Sequence, residues 1–380
     1  MKIPFNSVYK TGREIKYVNK SIRSANHSGN RIYGKRVTAL IKEKYFYDEV
    51  FLTPSCTAAL EMGALLANIQ PGDEVIIPSY TFSSTVNSVV IFGAKPIFCE
   101  ISPETMNIDV SKIEKLITPR TKMIIPIDYG GVSCEIDRIM EIAERHKLIV
   151  MQDCAQSYGS LYKGKPTGRE PHLACFSFHE TKNYSCGEGG ALIVNVPEWK
   201  ERASYLQEKG TDRTKVLHGV QDRYSWVDVG SSYLLSDILA AMLLAQLEAE
   251  DEIREKRRVI TAAYKALLKP YFEKGLIRTS SYGNEHEINH HAFWIVLDTS
   301  LNRDKFIQIL KENDILAYIG YIPLHSSKMG RSFGYSEEDL PITTDMASRL
   351  VRLPFYTSLS DNGLNYCCLK IKEALDIIFY

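Results

Sequence analysis

The chain reads as an α/β protein, a mainly parallel sheet with helices on both faces followed by a smaller C-terminal α/β unit. Three observations predict this. Apolar runs of strand length at residues 50–53, 74–78, 96–101, 122–127 and 148–152 alternate with helical stretches. Repeated β-α units of this kind imply right-handed crossovers and strands lying side by side. The 380 residues also exceed the length over which one core keeps growing, and the pattern changes around Pro270, Gly275 and Gly283. A large domain over residues 1–250 and a small one over 251–380 are expected.

In chain order, a helix-like piece near residues 14–24 precedes a polar loop, Ser28-Gly29-Asn30-Arg31 through Gly34. The strand at 50–53 turns at Pro54 to Cys56 into a helix over 57–69, whose inner face carries Ala, Leu and Met and which Pro71-Gly72 stops. After the strand at 74–78, Tyr80-Thr-Phe-Ser-Ser-Thr85 opens the next helix. Further helices are expected near 110–117 and 134–147, and strands at 174–178 and 191–194. A helix over 198–208 leads into a polar stretch at 209–226, and a strongly helical pattern runs from 233 to 250 and on to 267. The small domain should hold strands at 292–297 and 316–321, a helix at 303–313, and helices after Thr343 and Ser360.

The chemistry concentrates in Ala174-Cys-Phe-Ser-Phe-His-Glu-Thr-Lys-Asn-Tyr-Ser-Cys-Gly-Glu-Gly-Gly190. Lys182 lies in a polar loop between two apolar strands, where partial desolvation would lower its pKa and free its amine to form a Schiff base. The competing reading is a solvated loop lysine. Upstream, Asp153 ends an apolar strand, and ligands of open parallel α/β sheets collect outside the carboxyl ends of strands. It suits the ring nitrogen of pyridoxal phosphate, or the capping of a neighbouring helix. Cys56 and Thr57 open a helix directly after a strand, a geometry that cradles a phosphate or simply caps the helix. Phe82 reads on its own as core.

Asp153-Cys-Ala-Gln156, Ser177-Phe-His-Glu-Thr-Lys-Asn183 and Gly187-Glu-Gly-Gly190 resemble the signature of the DegT/DnrJ/EryC1/StrS family of sugar aminotransferases. The likeness runs from Ile3-Pro-Phe to Leu353-Pro-Phe. It implies the fold type I architecture of pyridoxal-phosphate-dependent transferases, with a seven-stranded sheet, and pyridoxal 5'-phosphate as cofactor. It implies Lys182 as the Schiff-base lysine, Asp153 at the ring nitrogen and Gln156 near the phenolic oxygen. It also implies Phe82 against the ring, and Ser177, Thr57 and the Cys56 backbone on the phosphate. Thr53-Pro-Ser-Cys-Thr57, Gly230-Ser-Ser-Tyr233 and Tyr321-Ile-Pro-Leu-His325 are most similar to members that aminate a dTDP-linked 4-keto-6-deoxy-hexose with L-glutamate for cell-surface polysaccharide synthesis. Arg31, Tyr321 and His325 are the implied substrate contacts. A homodimer with shared active sites is implied too, although Ser232 stands where most members carry an asparagine that reaches the phosphate across the interface.

Composition narrows the alternatives. Lys plus Arg and Asp plus Glu both number 46, so the chain is formally neutral and no basic stripe points to nucleic acid or an anionic membrane. No run approaches a membrane span and the first residues lack a signal-peptide core, so a soluble, cytoplasmic protein is expected. The eight cysteines form no C-x-x-C pair, and His290-His291 lacks a ligand-spaced partner, which disfavours disulfides and metal. No G-x-G-x-x-G follows the first strand, so a nicotinamide enzyme loses its main support. Lys182 itself opposes the family's 3-dehydratase branch, where histidine takes its place. A 3-keto or non-dTDP sugar, or a non-catalytic regulator that binds the cofactor or a nucleotide sugar, remain the alternative readings.

Overall fold

The computed structural model describes residues 1–217 and 219–380. Seven strands form the main sheet: β1 (Glu49–Thr53), β2 (Glu74–Pro78), β3 (Lys95–Cys99), β4 (Thr121–Ile124), β5 (Ile149–Asp153), β6 (Leu173–Ser177) and β7 (Gly190–Val194). Their spatial order is β1-β7-β6-β5-β4-β2-β3. The pairings from β3 to β6 are parallel, whereas β7 runs antiparallel to both β1 and β6. This is the mainly parallel, helix-flanked sheet that the alternation of runs predicts.

Side-chain alternation along the central strands explains the two layers. In β6 and β7, Leu173, Cys175, Leu192 and Val194 face one core with α3 (Cys56–Leu66), while Ala174, Phe176, Ala191 and Ile193 face another. That second core is closed by α2 (Ile32–Tyr45) and by α5 (Asp237–Leu247), with α4 (Ser83–Val90) and α1 (Glu14–Arg23) as further helices of this half. Residues 35–45 carried no sequence assignment, yet they continue a helix begun in the expected loop. Its register is set from outside, since the Gly34 N–H donates to Asp237 Oδ1 at 2.8 Å and Val37 and Ile41 are fully buried.

The helix expected from 233 to 267 is two helices. Ser236 caps α5 by accepting from the Leu239 N–H, so residues 233–235 stay extended. Ala249 then breaks the run, and α6 (Glu250–Glu273) restarts with three acids in its first turn, where the helix dipole favours them. A hydrophobic period alone does not register a break that keeps the same face buried.

A second, three-stranded antiparallel sheet holds β8 (Trp294–Val296), β9 (Tyr318–Ile319) and β10 (Leu350–Arg352), with β10 central. The N-terminal strap joins it, the Ile3 N–H donating to Asp314 O at 2.8 Å. Ile3, Phe293, Phe306, Val351 and Leu353 fill the core on one side of this sheet. On the other side Trp294, Val296 and Leu350 pack against Tyr80 and Tyr129 of the main sheet's loops. The carboxyl ends of the central parallel strands are therefore roofed by the small sheet.

His172, His286, His290, His291 and His325 are all held below the ordinary imidazole range chiefly by burial, His290 down to about 4. An unfolded chain binds these protons near pH 6.5 and the fold resists them. Stability contributed by neutral imidazole is therefore full above about pH 6.5 and falls on acidification, by roughly 1.4 kcal/mol per pH unit for each proton only the unfolded chain holds. Urea midpoints measured between pH 7 and pH 5 should decline, and a flat profile would contradict this reading.

Candidate active site

β5 ends in Asp153, β6 ends in Ser177, and α3 begins at Cys56, so three elements converge on one end of the sheet. Gly190 sets how close they come. A Cβ there would lie 2.5 Å from the Cys56 amide nitrogen and from Ser55, so the strand meets the helix end only because this residue has no side chain. Ser55 caps α3, its Oγ accepting from the Ala58 N–H at 3.0 Å. The N–H groups of Cys56 and Thr57 have no intrahelical acceptor and stand at the positive end of the helix.

These residues line a cavity of about 490 Å³ that also takes in Phe82, Thr85, Gln156, Lys182, His291, Tyr321 and Arg352. Asp153 is 5% exposed. Its Oδ2 accepts from Thr85 Oγ1 at 2.7 Å and its Oδ1 from the Ala155 N–H at 3.0 Å. Burial raises its pKa against the pull of those two bonds and of the Lys182 charge. Lys182 is half-buried, with its amine enclosed by the cavity walls, and desolvation lowers its pKa despite nearby Asp153. The sequence expectation of a desolvated lysine matches this environment.

The Lys182 loop is pinned on both sides. The Lys182 N–H donates to His179 O, and Asn183 donates from Nδ2 to Asn289 O at 2.8 Å. Asn183 Oδ1 lies 3.0 Å from His291 Nδ1, which must carry the proton of that bond. Gln156 accepts from the Gly130 N–H at 2.8 Å and donates to Tyr321 OH at 3.2 Å, which fixes its amide beside Asp153. Phe82 is 59% exposed at the cavity wall, its ring 6.2 Å from that of Tyr321.

The donor set matches the shape of pyridoxal phosphate. Free helix N–H groups with the Thr57 and Ser177 hydroxyls suit its phosphate, a buried carboxylate suits its ring nitrogen, and an amine shares the same cavity. The model of the DegT/DnrJ/EryC1/StrS aminotransferase family matches residues 12–372. The chain belongs to this family. It is 31% identical to GDP-perosamine synthase of Escherichia coli O157:H7, over 98% of each chain. It is 33% identical to the spore coat polysaccharide biosynthesis protein SpsC of Bacillus subtilis, over 84% of each. The structure superposes on the PMP-form of Spr1654 from Streptococcus pneumoniae with a TM-score of 0.91 at 25% identity, covering 100% of this chain and 98% of that one. This family member is a pyridoxal-phosphate-dependent sugar aminotransferase of fold type I.

Of the residues singled out in the sequence, Cys56, Thr57, Phe82, Asp153, Gln156, Ser177, Lys182 and Tyr321 share the cavity wall. Arg31, Ser232 and His325 do not. Arg31 precedes α2 and donates to Ser28 Oγ, and Ser232 is exposed in a bridge with Glu208. His325 corrects its sequence reading as a substrate contact: it is fully buried, with Nδ1 2.6 Å from Ser79 Oγ and Nε2 3.2 Å from Thr344 Oγ1. Its ring is a strut under the Tyr321 loop. His325→Ala would leave Ser79 without that partner and cost about 1–3 kcal/mol in urea unfolding, with the affinity for sugar substrate unchanged.

Phe5, Thr85, His291 and Arg352 are among the cavity residues that the sequence reading did not name as site members. Arg352 alone carried a signal. In Leu350-Val-Arg-Leu-Pro-Phe355 a charge interrupts an apolar run, and a charge inside a strand needs an explanation.

Proposed function

We propose that the protein transfers the amino group of L-glutamate to a nucleotide-linked 4-keto-6-deoxy-hexose, dTDP-4-keto-6-deoxy-D-glucose, as a dTDP-4-amino-4,6-dideoxygalactose transaminase of cell-surface polysaccharide synthesis in the cytoplasm. The observation that carries the reading is the Lys182 amine in one cavity with the buried Asp153 carboxylate and the helix end at Cys56, both of which act on its pKa. When bound, pyridoxal phosphate supplies an aldehyde for an incoming amine and a ring that accepts the electrons of a breaking Cα–H bond. Asp153, held by Thr85 and Ala155, keeps a proton on the ring nitrogen. The free N–H groups of α3 with Thr57 and Ser177 hold the phosphate. Lys182 Nζ would hold the cofactor's aldehyde carbon and, when free, would carry a proton to and from the reacting carbon, a task that the desolvation lowering its pKa favours. Phe82 and Tyr321, with rings 6.2 Å apart on the cavity wall, would limit the access of water.

A second reading, a GDP-linked keto sugar, is favoured by the likeness to GDP-perosamine synthase along 98% of each chain. An assay of the purified protein with glutamate and a panel of dTDP-, UDP- and GDP-linked 3-keto and 4-keto sugars, with product configuration read by NMR, separates these. Amination of only the GDP sugar would reject the dTDP assignment.

The proposed division into residues 1–250 and 251–380 places the phosphate cradle, Asp153 and Lys182 in the large domain. The active form is a homodimer in which Arg31 and Ser232 serve the partner's site. Tyr224, Trp226 and Val229, flanking Ser232, are 58%, 80% and 53% exposed, an apolar surface that a second copy would cover.

A further inference from the structure

A carboxylate that keeps a ring nitrogen protonated must itself stay ionised, yet one buried as deeply as Asp153 tends to take the proton for itself. Two donors oppose that, the Ala155 N–H on Oδ1 and the Thr85 hydroxyl on Oδ2. The backbone N–H can only donate. A hydroxyl donates or accepts as it turns, so a protonated Asp153 could give its hydrogen to Thr85 Oγ1 and keep the same 2.7 Å contact. That bond alone does not select the ionised form.

Thr81 supplies the selection. Its Oγ1 lies 2.9 Å from Thr85 Oγ1 and has no other hydrogen-bond partner among the described residues. Both hydroxyls are buried, and each has one hydrogen to place. Run from Thr81 to Thr85 to Asp153, the chain gives each hydrogen an acceptor and ends on a carboxylate. Run the other way, Thr85 donates to Thr81, and the Thr81 hydrogen is left without an acceptor, which is costly in a buried place.

We infer that Thr81 and Thr85 form a one-way hydroxyl relay that holds Asp153 ionised and so reserves the shared proton for the ring nitrogen. Both are positioning residues, and Thr81 acts on Asp153 only through Thr85. The other titratable groups whose charge reaches Asp153 are Lys182 after β6, Cys56 at the start of α3, Cys154, Cys175 in β6 and Tyr321 of the small domain. Burial holds the three thiols and the phenol in their neutral forms, which leaves the Lys182 amine as the ionising neighbour. The relay is the part of this setting that an uncharged substitution removes by itself.

The inference rests on the aminotransferase reading, and its test separates the two. Thr81→Val, Thr85→Val and Thr85→Ser are compared with wild type, first as cofactor-free full chains carrying carboxyl-labelled aspartate. NMR follows the Asp153 signal, identified by its loss in Asp153→Asn. The pH at which Asp153 takes up a proton should rise by about 1 unit in Thr81→Val and by about 1–2 units in Thr85→Val. Thr85→Ser, which keeps the hydroxyl, should titrate as wild type. In the cofactor-loaded proteins, the acid limb of the kcat profile should move to higher pH in both valine variants, with KM for glutamate within about twofold. A merely structural loss would lower that profile without moving it. An Asp153 titration unmoved in both valine variants would overturn the inference. So would a shift in Thr85→Val with none in Thr81→Val, which would reduce the relay to a single bond. Should Thr85→Val fail to fold, Thr81→Val decides, because the relay requires its shift. A wild-type protein that takes up no cofactor would instead reject the aminotransferase reading, while the cofactor-free titration would still decide the relay.

Discussion

Lys182→Ala should lower turnover by about 10,000-fold or more, because one amine performs two tasks, covalent attachment of the cofactor and proton transfer at the reacting carbon. The fold should survive, since the loop is held by Asn183 and by backbone bonds rather than by the lysine side chain. Removing a desolvated ammonium also relieves a burial cost, so the variant should unfold no earlier than wild type without cofactor. After borohydride reduction, mass spectrometry of wild type should find the cofactor on the peptide carrying Lys182, and on no peptide of the variant. Full turnover by Lys182→Ala would end the proposed mechanism.

Asp153→Asn is the second large effect. An asparagine Oδ1 can still accept from the Ala155 N–H, and Thr85 can turn its hydroxyl to Thr81 Oγ1, 2.9 Å away, so the pocket should keep its shape. What is lost is the charge that keeps the pyridine nitrogen protonated. Turnover should fall about 100- to 10,000-fold, the scale of a positioned acid–base group, with the Kd for a substrate analogue within a few-fold of wild type. An equal loss in analogue binding would mean that Asp153 shapes the pocket rather than tuning the ring.

The residues with these two effects were legible because their type and position coincide with a chemical need: a carboxylate at a strand end and a lysine between two core strands. The parallel sheet was equally readable, since each strand is a contiguous apolar run. His325 misled because a histidine in a loop looks polar and available, while one ring nitrogen bonds Ser79, 246 positions away, and the other lies against Thr344. Arg352 and His291 joined the cavity for the reverse reason. Both lie within or beside strands of the small sheet, and only the way that sheet roofs the large one turns them inward. Helix α2 was missed because Gly34 and Thr38 weaken its local preference, and packing on α5 restores it.

Asn183 has a wider consequence. The neighbour of the reactive lysine is fastened to Asn289 and His291, more than a hundred positions further along the polypeptide. Synthesis therefore releases the nucleophile's segment long before its anchors exist. Competence should be acquired late and all at once, when the last third of the chain docks, so a ribosome-bound fragment ending near residue 250 would carry every cofactor-facing group named from the sequence and still lack a fixed amine.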